Sequence, residues 1–522
     1  MIVLILLTGC AKGQNQKKET LDDNFDETIA GSFSTQTQRK FDSTQVADFF
    51  KKYPLLKEYE KDVKAFYKQR LYAYAWFDKE GFTEQADHLY FRVTNLHKNG
   101  KRDSTLYHAD LEKTIEENNI DEKTAPFVDI MLTAQYLHYS KRNFEGKVSA
   151  ERARAMNWLI PRKKVDALQL LTETINDDKD VFENSPLRKQ YNELRKQLQF
   201  IRQKGLDTVT AIKGAQQVYR DGDSSDAMAK VRQRLVLWGD IKQSNQSAIL
   251  DEQLHDGIRS FQKRNGLKVD GIAGPGFFNA LNVSGKERIE QILLNMERVR
   301  WLPRYTEGEH LLVNIPAYKL YAFNGDSLVW DMDVIVGEDL RKTVIFSDEI
   351  AYMDFSPYWY IPPGIMRRTV LPAIRRNSNY LARNNMERIG GTAANPQIRQ
   401  RPGGTNPMGK VKFMFPNTFN IYLHDTPNKE LFDRPQRAFS AGCVRVSDAE
   451  FLANFLLKEQ PEWDKQKINA AMNASRERRV HLKKKMPVYL TYLTAYVDKE
   501  GKLNFRKDIY NRDRALAEQL FR

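Results

Sequence analysis

The sequence predicts a multidomain α+β fold, with a helical N-terminal half and a β-rich C-terminal part. With 522 residues, the chain has room for roughly two to four domains. From about residue 41 to 204 apolar residues recur at helical spacing, whereas from about residue 310 they alternate with polar residues, as in half-buried strands. A hydrophobic fraction of 41% supplies enough apolar surface for several cores.

The first ten residues resemble a lipoprotein signal. An apolar run leads into Leu7-Thr8-Gly9-Cys10, and the resemblance implies cleavage before Cys10 and a lipid anchor on its thiol. The run is too short to span a bilayer. No Lys or Arg precedes it, which leaves open a start upstream of Met1. The polar stretch 11–39 predicts a disordered tether from membrane to folded body.

Residues 40–215 are expected to form a helical scaffold domain. Val46, Phe49 and Phe50 begin an apolar face, and a long charged helix is predicted near 187–203. Aromatic residues at helical spacing usually pack in a core, so no chemistry is assigned to this region. It resembles the scaffold domain of large periplasmic enzymes that act on the bacterial cell wall.

Residues 222–284 resemble a small three-helix peptidoglycan-binding domain. The turns come from Asp270-Gly271 and Gly274-Pro275. The expected core consists of Leu235, Ile258, Phe261, Leu267, Ile272 and Leu281. Phe277 stands where Thr is often found after the Gly-Pro turn, so both a wall-binding domain and a purely structural spacer remain open.

A linking helix, expected within 285–307, leads to a β-rich domain at 308–510. Alternating residues predict strands around 311–315, 318–323, 330–336, 344–346 and 351–355, and Asn324-Gly325 predicts a hairpin. A sandwich or open barrel is the natural architecture. The basic, helix-compatible stretch 362–401 interrupts the strands as an insertion. Ser447 and Glu450 predict a capping box that begins a helix, and 511–522 is expected to be a peripheral tail.

The candidate chemistry centres on a thiol and an imidazole. The chain has two cysteines, so lipidation of Cys10 leaves Cys443 unpaired, with no intramolecular disulfide expected. His424, at the end of a predicted strand, is a candidate base for the Cys443 thiol. The backbone N–H groups of Gly442 and Cys443 are candidates for stabilising an oxyanion. A buried structural cysteine and a structural histidine are the alternatives.

These residues lie in a pattern that resembles the active-site signature of L,D-transpeptidases, which cross-link bacterial peptidoglycan. The pattern comprises His424-Asp425-Thr426-Pro427, a loop with Arg437, Ser440-Ala441-Gly442-Cys443-Val444-Arg445-Val446, and the upstream run Pro402-Gly403-Gly404-Thr405-Asn406-Pro407-Met408-Gly409. The match points to the large, multidomain, periplasmic type. In that type the insertion at 362–401 caps the active site, so either a mobile lid or an ordinary surface insertion is expected there.

The resemblance implies acyl transfer from a tetrapeptide stem, through a Cys443 thioester, to the side-chain amine of diaminopimelate on a second stem. His424 takes the role of base, and in the family a backbone carbonyl often orients this histidine. Candidate substrate contacts are Tyr422, Asp425, Arg437, Ser440 and Arg445. For Arg445 the alternative is a local ion pair with Asp448 or contacts to backbone carbonyls. The chemistry needs no metal and no organic cofactor.

The residues leave three alternatives to this function. The same site would act as an L,D-carboxypeptidase if water replaced the acceptor amine. A papain-like peptidase is disfavoured, because its cysteine precedes its histidine whereas His424 precedes Cys443. A non-catalytic wall-binding lipoprotein would need neither Cys443 nor His424. The formal charge of +14 suits an anionic membrane, an anionic wall polymer or solubility alone, and the absence of a nucleic-acid motif argues against nucleic acid as a partner.

Overall fold

The computed structural model describes residues 40–77, 83, 85–90, 93, 106–116, 121–162, 165–176, 189–206, 210–212, 218–243, 245, 247–303, 308–392 and 395–521. In this part of the chain, no helix has the length and apolar character to cross a membrane. The predicted signal at 1–10, with Cys10, and the tether at 11–39 lie outside the described residues. Backbone contacts divide the chain into two compact units, Met1–Tyr136 with Leu168–Asn184, and Leu137–Ala167 with Ser185–Arg522.

Helices dominate the N-terminal region, as predicted. They are α1 (Thr44–Lys52), α2 (Glu60–Gln69), α3 (His108–Glu116), α4 (Ala125–Ser140), α5 (Ala150–Ala155), α6 (Ala167–Asn176) and α7 (Lys189–Gln203). The predicted scaffold is divided between the two units, since residues 137–167 and the chain from 185 onward belong to the second. In that second unit the backbone of Trp158 forms an isolated β-bridge with Ile345. The Trp158 ring packs edge-on against the Trp301 ring, with 5.1 Å between their centroids.

A buried carboxylate organises the first unit. Asp129 accepts hydrogen bonds from the Tyr67 hydroxyl at 2.5 Å and from the Ala75 and Trp76 amides at 3.1 and 2.9 Å. Its complete burial raises its pKa to about 6. These bonds hold the segment after α2 against α4, which indicates a structural role for this cluster.

Three short helices form the small domain: α8 (Asp226–Leu237), α9 (Glu252–Arg264) and α10 (Pro275–Leu281). Leu235, Ile258, Phe261 and Leu281 are buried as predicted, whereas Leu267 and Ile272 are only partly buried. Phe277 lies in the core, 5.2 Å from the ring of Phe261. The predicted turn forms at Gly271, which has φ +73° and whose missing Cβ leaves room for the His255 ring.

The three-helix domain packs on the C-terminal hairpin of the second unit. Arg264 forms a buried ion pair with Asp240 at 2.5 Å and donates to the Leu503 carbonyl at 3.5 Å. Arg506 in turn donates to the Arg264 carbonyl at 2.7 Å. The linking helix α11 (Gly285–Trp301) begins with a capping box in which Ser284 and Glu287 satisfy each other's backbone amides.

The β-rich domain is a closed barrel. Its strands are β1 (Glu309–Asn314), β2 (Lys319–Asn324), β3 (Ser327–Gly337), β4 (Ser347–Phe355), β5 (Trp359–Tyr360), β6 (Met386–Gly391), β7 (Pro396–Gln400), β8 (Val411–Met414), β9 (Leu423–His424), β10 (Ala438–Ser440), β11 (Val444–Val446), β12 (Arg478–Thr491), β13 (Ala495–Val497) and β14 (Leu503–Phe505). Eight of them pair in the order β3-β11-β9-β8-β4-β12-β1-β2, and β2 returns to β3 through the predicted hairpin. The edge strand β10 adds to β3.

The insertion forms a small subdomain of its own. Helical turns at Pro363–Ile365 and Met366–Val370 lead into α12 (Leu371–Arg376) and α13 (Tyr380–Arg383), and strands β5, β7 and β6 form a separate sheet. Ile361, Met366, Val370 and Ile398 make a small core that is distinct from that of the barrel. This geometry is compatible with the predicted capping role, which stays a prediction.

Three local predictions about the barrel domain are wrong. Residues 344–346 form only an isolated bridge at Ile345, and the strand begins at Ser347. The helix after β11 is α14 (Ala449–Leu457), and its N-cap is Asp448 instead of Ser447, because the Asp448 carboxylate accepts the Phe451 N–H at 2.9 Å. Phe451, expected to face inward, is 44% exposed.

The C-terminal segment is not a peripheral tail. It forms α16 (Arg512–Leu520), whose Leu516 is buried in the barrel's core cluster. Asp513 pairs with Arg298 of α11 at 2.5 Å. This segment is mostly charged, and its few apolar residues form too weak a helical pattern to predict that it packs on the barrel. The remaining helix, α15 (Lys465–Met472), lies between α14 and β12 along the chain.

Candidate active site

Two short parallel strands of the barrel bring the predicted site residues together. β9 and β11 pair with Val444 opposite Leu423 and Arg445 opposite His424. The Val444 amide donates to the Tyr422 carbonyl at 3.1 Å, which fixes Cys443 beside Tyr422. The strand that ends at His424 is only two residues long, shorter than predicted, because Asn420 takes a left-handed conformation with φ +54°.

Hydrogen bonds shape the turn that precedes Cys443. Gly442 has φ +117°, a conformation that favours glycine. Its N–H donates to the Ser440 hydroxyl oxygen at 3.1 Å, and the Ser440 hydroxyl donates to the Cys443 carbonyl at 2.5 Å. Ser440 therefore holds the turn, and the predicted oxyanion donor on Gly442 is engaged in this structure. Among the described residues, no acceptor contacts the Cys443 N–H, which is the open backbone donor at the nucleophile.

Thr343 and Tyr510 support the same turn, and sequence reasoning missed both. The Thr343 hydroxyl donates to the Gly442 carbonyl at 2.8 Å and accepts the Gly337 N–H at 2.8 Å. The Tyr510 hydroxyl accepts the Thr343 N–H at 3.2 Å and donates to the Gly337 carbonyl at 2.5 Å. Because these residues lie about 70 to 100 positions from Cys443, no local motif could have revealed them.

His424 is buried and held in one orientation. Its Nδ1 lies 2.6 Å from the backbone carbonyl oxygen of Asp425, a contact that requires the proton on Nδ1. Nε2 is therefore the basic nitrogen. Burial, followed by the charge of Arg445, lowers the pKa of His424 to about 3, so the ring is neutral at rest. A backbone carbonyl in this orienting position matches the expectation drawn from the family.

Cys443 is a free, partly exposed thiol. Its Sγ lies 3.5 Å from the Asn420 carbonyl, to which the thiol donates. Burial raises the pKa of the thiol, while hydrogen bonding with Tyr422 and the charges of Arg445 and Lys412 lower it. The rings of Tyr422 and His424 meet edge to face at 5.6 Å, so the thiol, phenol and imidazole form one cluster.

Arg445 brings an uncompensated positive charge to this cluster. Burial lowers the pKa of its guanidinium and the nearby Cys443 raises it. In the described part of the chain no carboxylate lies within ion-pair distance of Arg445, and its Nε is buried without a hydrogen-bond partner. The predicted alternative, an ion pair with Asp448, is not formed, because Asp448 caps α14. Arg445 is thus available to an anionic ligand.

Two other predicted contact residues have structural partners. The Asp425 carboxylate pairs with Lys429 at 2.7 Å and accepts the Lys410 N–H at 2.9 Å. Arg437 pairs with Asp333 at 2.7 Å and donates to four backbone carbonyls, those of Tyr318, Val334, Phe432 and Arg434. These contacts stabilise the loops around the site, and a role of either residue toward substrate stays a prediction.

The upstream motif, residues 402–409, reaches Tyr422, the residue beside Cys443. The buried Asn406 side chain donates to the Pro357 carbonyl at 2.9 Å and accepts the Met408 N–H at 2.9 Å. The Tyr422 hydroxyl lies 3.3 Å from the Met408 sulfur. Lys412, which pairs with His424 across β8 and β9, lies 5.8 Å from the Tyr422 ring. Among the described residues, no three His, Cys, Asp or Glu side chains are placed to hold a metal ion.

Three regions of the chain match known family models. Residues 308–481 match the family model of the L,D-transpeptidase catalytic domain. Residues 61–198 match the scaffold domain model, and residues 224–281 match the "Putative peptidoglycan binding domain" model. Residues 308–481, which include most of the barrel together with Cys443 and His424, are therefore an L,D-transpeptidase catalytic domain. Along the chain, the three matches follow the order scaffold domain, peptidoglycan-binding domain and catalytic domain.

A curated relative from Haemophilus influenzae, named "Putative L,D-transpeptidase", is 31% identical over 287 residues. The match covers 52% of this chain and 57% of the relative. Among solved structures, the L,D-transpeptidase of Xylanimonas cellulosilytica is 15% identical, with a TM-score of 0.20 over 53% of this chain and 98% of that one. The L,D-transpeptidase of Stackebrandtia nassauensis is 12% identical, with a TM-score of 0.22 over 54% and 97%. Scores this low establish no shared overall fold.

Proposed function

We propose that this protein is a peptidoglycan L,D-transpeptidase that joins diaminopimelate residues of two stem peptides through an acyl-enzyme on Cys443. The observation that carries the proposal is the cluster of Cys443, His424 and Arg445. Cys443 is a free, partly exposed thiol, and the contact at Nδ1 leaves Nε2 as the basic nitrogen of His424. The charge of Arg445 acts on both groups, and in the described part of the chain no carboxylate pairs with it. A thiol, a base and an anion-binding group are what acyl transfer from a carboxylate-rich peptide requires.

The first half-reaction forms the thioester. The Cys443 thiol gives its proton to Nε2 of His424 as sulfur attacks the carbonyl carbon between the third and fourth residues of a tetrapeptide stem. The Cys443 N–H stabilises the resulting oxyanion, a contribution of ~3 kcal/mol for a well-placed donor. The intermediate collapses with cleavage of the C–N bond, and D-alanine leaves with the proton from His424.

The second half-reaction consumes the thioester. The side-chain amine of diaminopimelate on a second stem attacks the thioester carbonyl and gives a proton to His424. The C–S bond then breaks, the thiolate regains that proton, and the product is a peptide bond between the two third residues. If water takes the place of the amine, the same steps yield a tripeptide by L,D-carboxypeptidation.

Arg445 couples substrate binding to the strength of the base. Its charge favours the thiolate but disfavours the imidazolium, and it helps to lower the pKa of His424 to about 3. A donor carboxylate on Arg445 would neutralise this charge and raise the pKa of His424. His424 would thereby become a stronger base only when a donor stem is bound. The Cys443 thiol would then stay protonated in the empty site.

The test is incubation of the purified protein with disaccharide-tetrapeptide, followed by mass spectrometry of the products. Cross-linked dimers that have lost one D-alanine support transpeptidation, and monomeric tripeptide supports carboxypeptidation. Absence of turnover, with no difference between the wild type and Cys443→Ala, would reject an enzymatic role and favour a wall-binding protein without catalysis.

The proposal extends to location. The resemblance of the first ten residues to a lipoprotein signal supports a periplasm-facing protein that is anchored by a lipid on Cys10. Metabolic labelling with a palmitate analogue tests this. Incorporation that is lost in Cys10→Ala is expected, whereas equal labelling of both forms, or none in either, would reject the anchor.

A further inference from the structure

A large groove lies on the second compact unit, between the three-helix domain and the outer face of the barrel. Its volume is about 880 Å³, at the upper end of the range for ligand sites in proteins. One wall comes from the loop after α9, with Asn265 and Leu267, and the other from the β13–β14 hairpin. Neither Cys443 nor His424 lines it, so this groove is separate from the catalytic cluster.

The floor of the groove is an aromatic sheet face. In the strand register Leu312 lies beside Tyr321, and Tyr321 beside Asp331, so these side chains share one face of β1–β3. The rings of Tyr321 and Phe323 are 6.1 Å apart, and Tyr496 of the hairpin approaches Tyr321 at 6.5 Å. Tyr321 and Phe323 are partly buried and Tyr496 is 9% exposed, so only parts of these rings line the groove and give it a partly aromatic floor.

The charge of the groove indicates which ligand it suits. Seven basic and six acidic side chains line it, so it is nearly neutral on a chain whose formal net charge is +14. An anionic lipid or a stem peptide with several carboxylates would favour an excess of cations. A glycan is neutral, with apolar ring faces that pack on aromatic residues and hydroxyls that both donate and accept hydrogen bonds. Aromatic rings bordered by mixed carboxylates, amides and cations match that chemistry.

The groove also reaches the loop that leads to the nucleophile. Arg437 lines the groove, pairs there with Asp333 at 2.7 Å, and directly precedes β10. Ser440, the last residue of β10, hydrogen-bonds the nucleophile turn at Gly442 and Cys443. A polymer held in the groove would therefore run toward the side of the barrel from which this loop approaches the thiol.

We propose that this groove binds the glycan strand of peptidoglycan, so that the three-helix domain and the barrel together form one polysaccharide site. The inference rests on the proposed function for its choice of polymer. A glycan strand bound in the groove would bring its attached stem peptides to Cys443. The groove would therefore increase the rate with polymeric peptidoglycan but not with a short soluble fragment.

Ser327→Trp tests the proposal. Ser327 is exposed on the groove lining at the start of β3, so an indole there occupies the groove without removing a core contact. The matched control is Ser43→Trp, at an exposed serine of the other compact unit. Both are made in full-length Cys443→Ala protein. Calorimetry then measures the binding of glycan strands that lack stem peptides and whose lactyl carboxyl groups are capped as amides, so that the probe is neutral. A loss of affinity of about tenfold or more is expected for Ser327→Trp alone.

Equal glycan affinity in Ser327→Trp and Ser43→Trp, with both proteins folded by circular dichroism, would overturn the proposal. Displacement of the glycan by free tetrapeptide would overturn it too, since the groove would then be a peptide site. In catalytically intact protein, Ser327→Trp should slow cross-linking of whole sacculi while turnover of disaccharide-tetrapeptide stays normal. Because glycan binding is measured without catalysis, loss of the proposed enzymatic function would leave this result interpretable.

Discussion

The Nδ1 atom of His424 lies 2.6 Å from the backbone carbonyl oxygen of Asp425, the next residue in the chain. This contact sets the tautomer and directs Nε2 away from its own strand. The neighbouring carboxylate plays no part in it, because that group is occupied by Lys429 and the Lys410 amide. A main-chain acceptor thus performs the orienting role that a carboxylate performs in many catalytic triads.

Asp425→Asn should therefore have little effect on the chemical step. The backbone carbonyl that orients His424 remains, while the Lys429 ion pair at the loop is lost. We expect kcat within about threefold of wild type and a loss of stability of about 1 kcal/mol, measured by steady-state turnover and thermal unfolding. A fall in kcat of about 10⁴-fold, as for removal of a triad carboxylate, would contradict this assignment.

Protonation of His424 should make stability depend on pH. Its pKa falls from about 6.5 in the unfolded chain to about 3 in the fold, so between these values the unfolded chain binds more protons. The stabilising contribution is present above pH ~6.5 and is lost as the pH falls toward 3, by up to ~1.4 kcal/mol per pH unit. Unfolding free energies of wild type and His424→Gln across this window measure it. Parallel curves for the two proteins would contradict the shift.

Arg445→Gln should weaken the donor step. Removing a half-buried cation that meets a carboxylate is expected to lower kcat/KM by about 30-fold, equivalent to ~2 kcal/mol. Amidation of the donor carboxylate should cost the wild type a similar factor and should cost Arg445→Gln little more, which a double-mutant cycle measures. Additive losses would show that Arg445 and that carboxylate do not interact.

Thr343→Val should loosen the nucleophile turn. The substitution keeps the shape of the side chain but removes the hydroxyl that joins the Gly442 carbonyl to the Gly337 amide. We expect kcat to fall on the order of 10- to 100-fold with KM nearly unchanged, and stability to fall by about 1–3 kcal/mol. Thr343→Ser, which retains the hydroxyl, serves as the control. Equal activity of the two variants would exclude a positioning role for the hydroxyl.

The insertion at 362–401 should respond to substrate if it is a lid. Its arginines Arg367, Arg368, Arg375 and Arg376 are exposed, and it has a core of its own, so it can move as a body. Limited trypsin digestion with and without disaccharide-tetrapeptide should show slower cleavage at these arginines in Cys443→Ala protein with substrate. An unchanged cleavage pattern would favour an ordinary surface insertion.

The sequence predicted the parts of this molecule whose signals are local. Alternating residues and Asn324-Gly325 predicted the β2–β3 hairpin, and the turn at Asp270-Gly271 follows from a residue that tolerates positive φ. The clustering of Cys443 with His424 followed from the family motif. The structure adds the reason, which is the parallel pairing of β9 and β11.

Contacts between residues that are far apart in the chain could not be predicted from the sequence. Thr343 and Tyr510 lie beside the nucleophile turn because the barrel closes. The barrel closes where β2 pairs with β3, and the full set of strand pairings cannot be predicted from any one segment of the sequence. Among the described residues no carboxylate pairs with Arg445, because Asp448 instead caps a helix that begins one residue later than predicted. Ser447 and Asp448 are both good N-cap residues, so the sequence alone does not show which of them begins the helix.

The central claim is tested most directly by intact-protein mass spectrometry during turnover. Wild-type protein is mixed with a tetrapeptide donor whose diaminopimelate side-chain amine is acetylated, so that no acceptor is present. The mixture is quenched in acid and weighed intact, and a second portion is digested to locate the adduct. The account predicts an adduct with the mass of the donor minus D-alanine, located on Cys443, released by hydroxylamine as a thioester is, and absent from Cys443→Ala. Cross-linked or trimmed product formed by protein that never carries an adduct on Cys443, or an adduct on another residue, would contradict it.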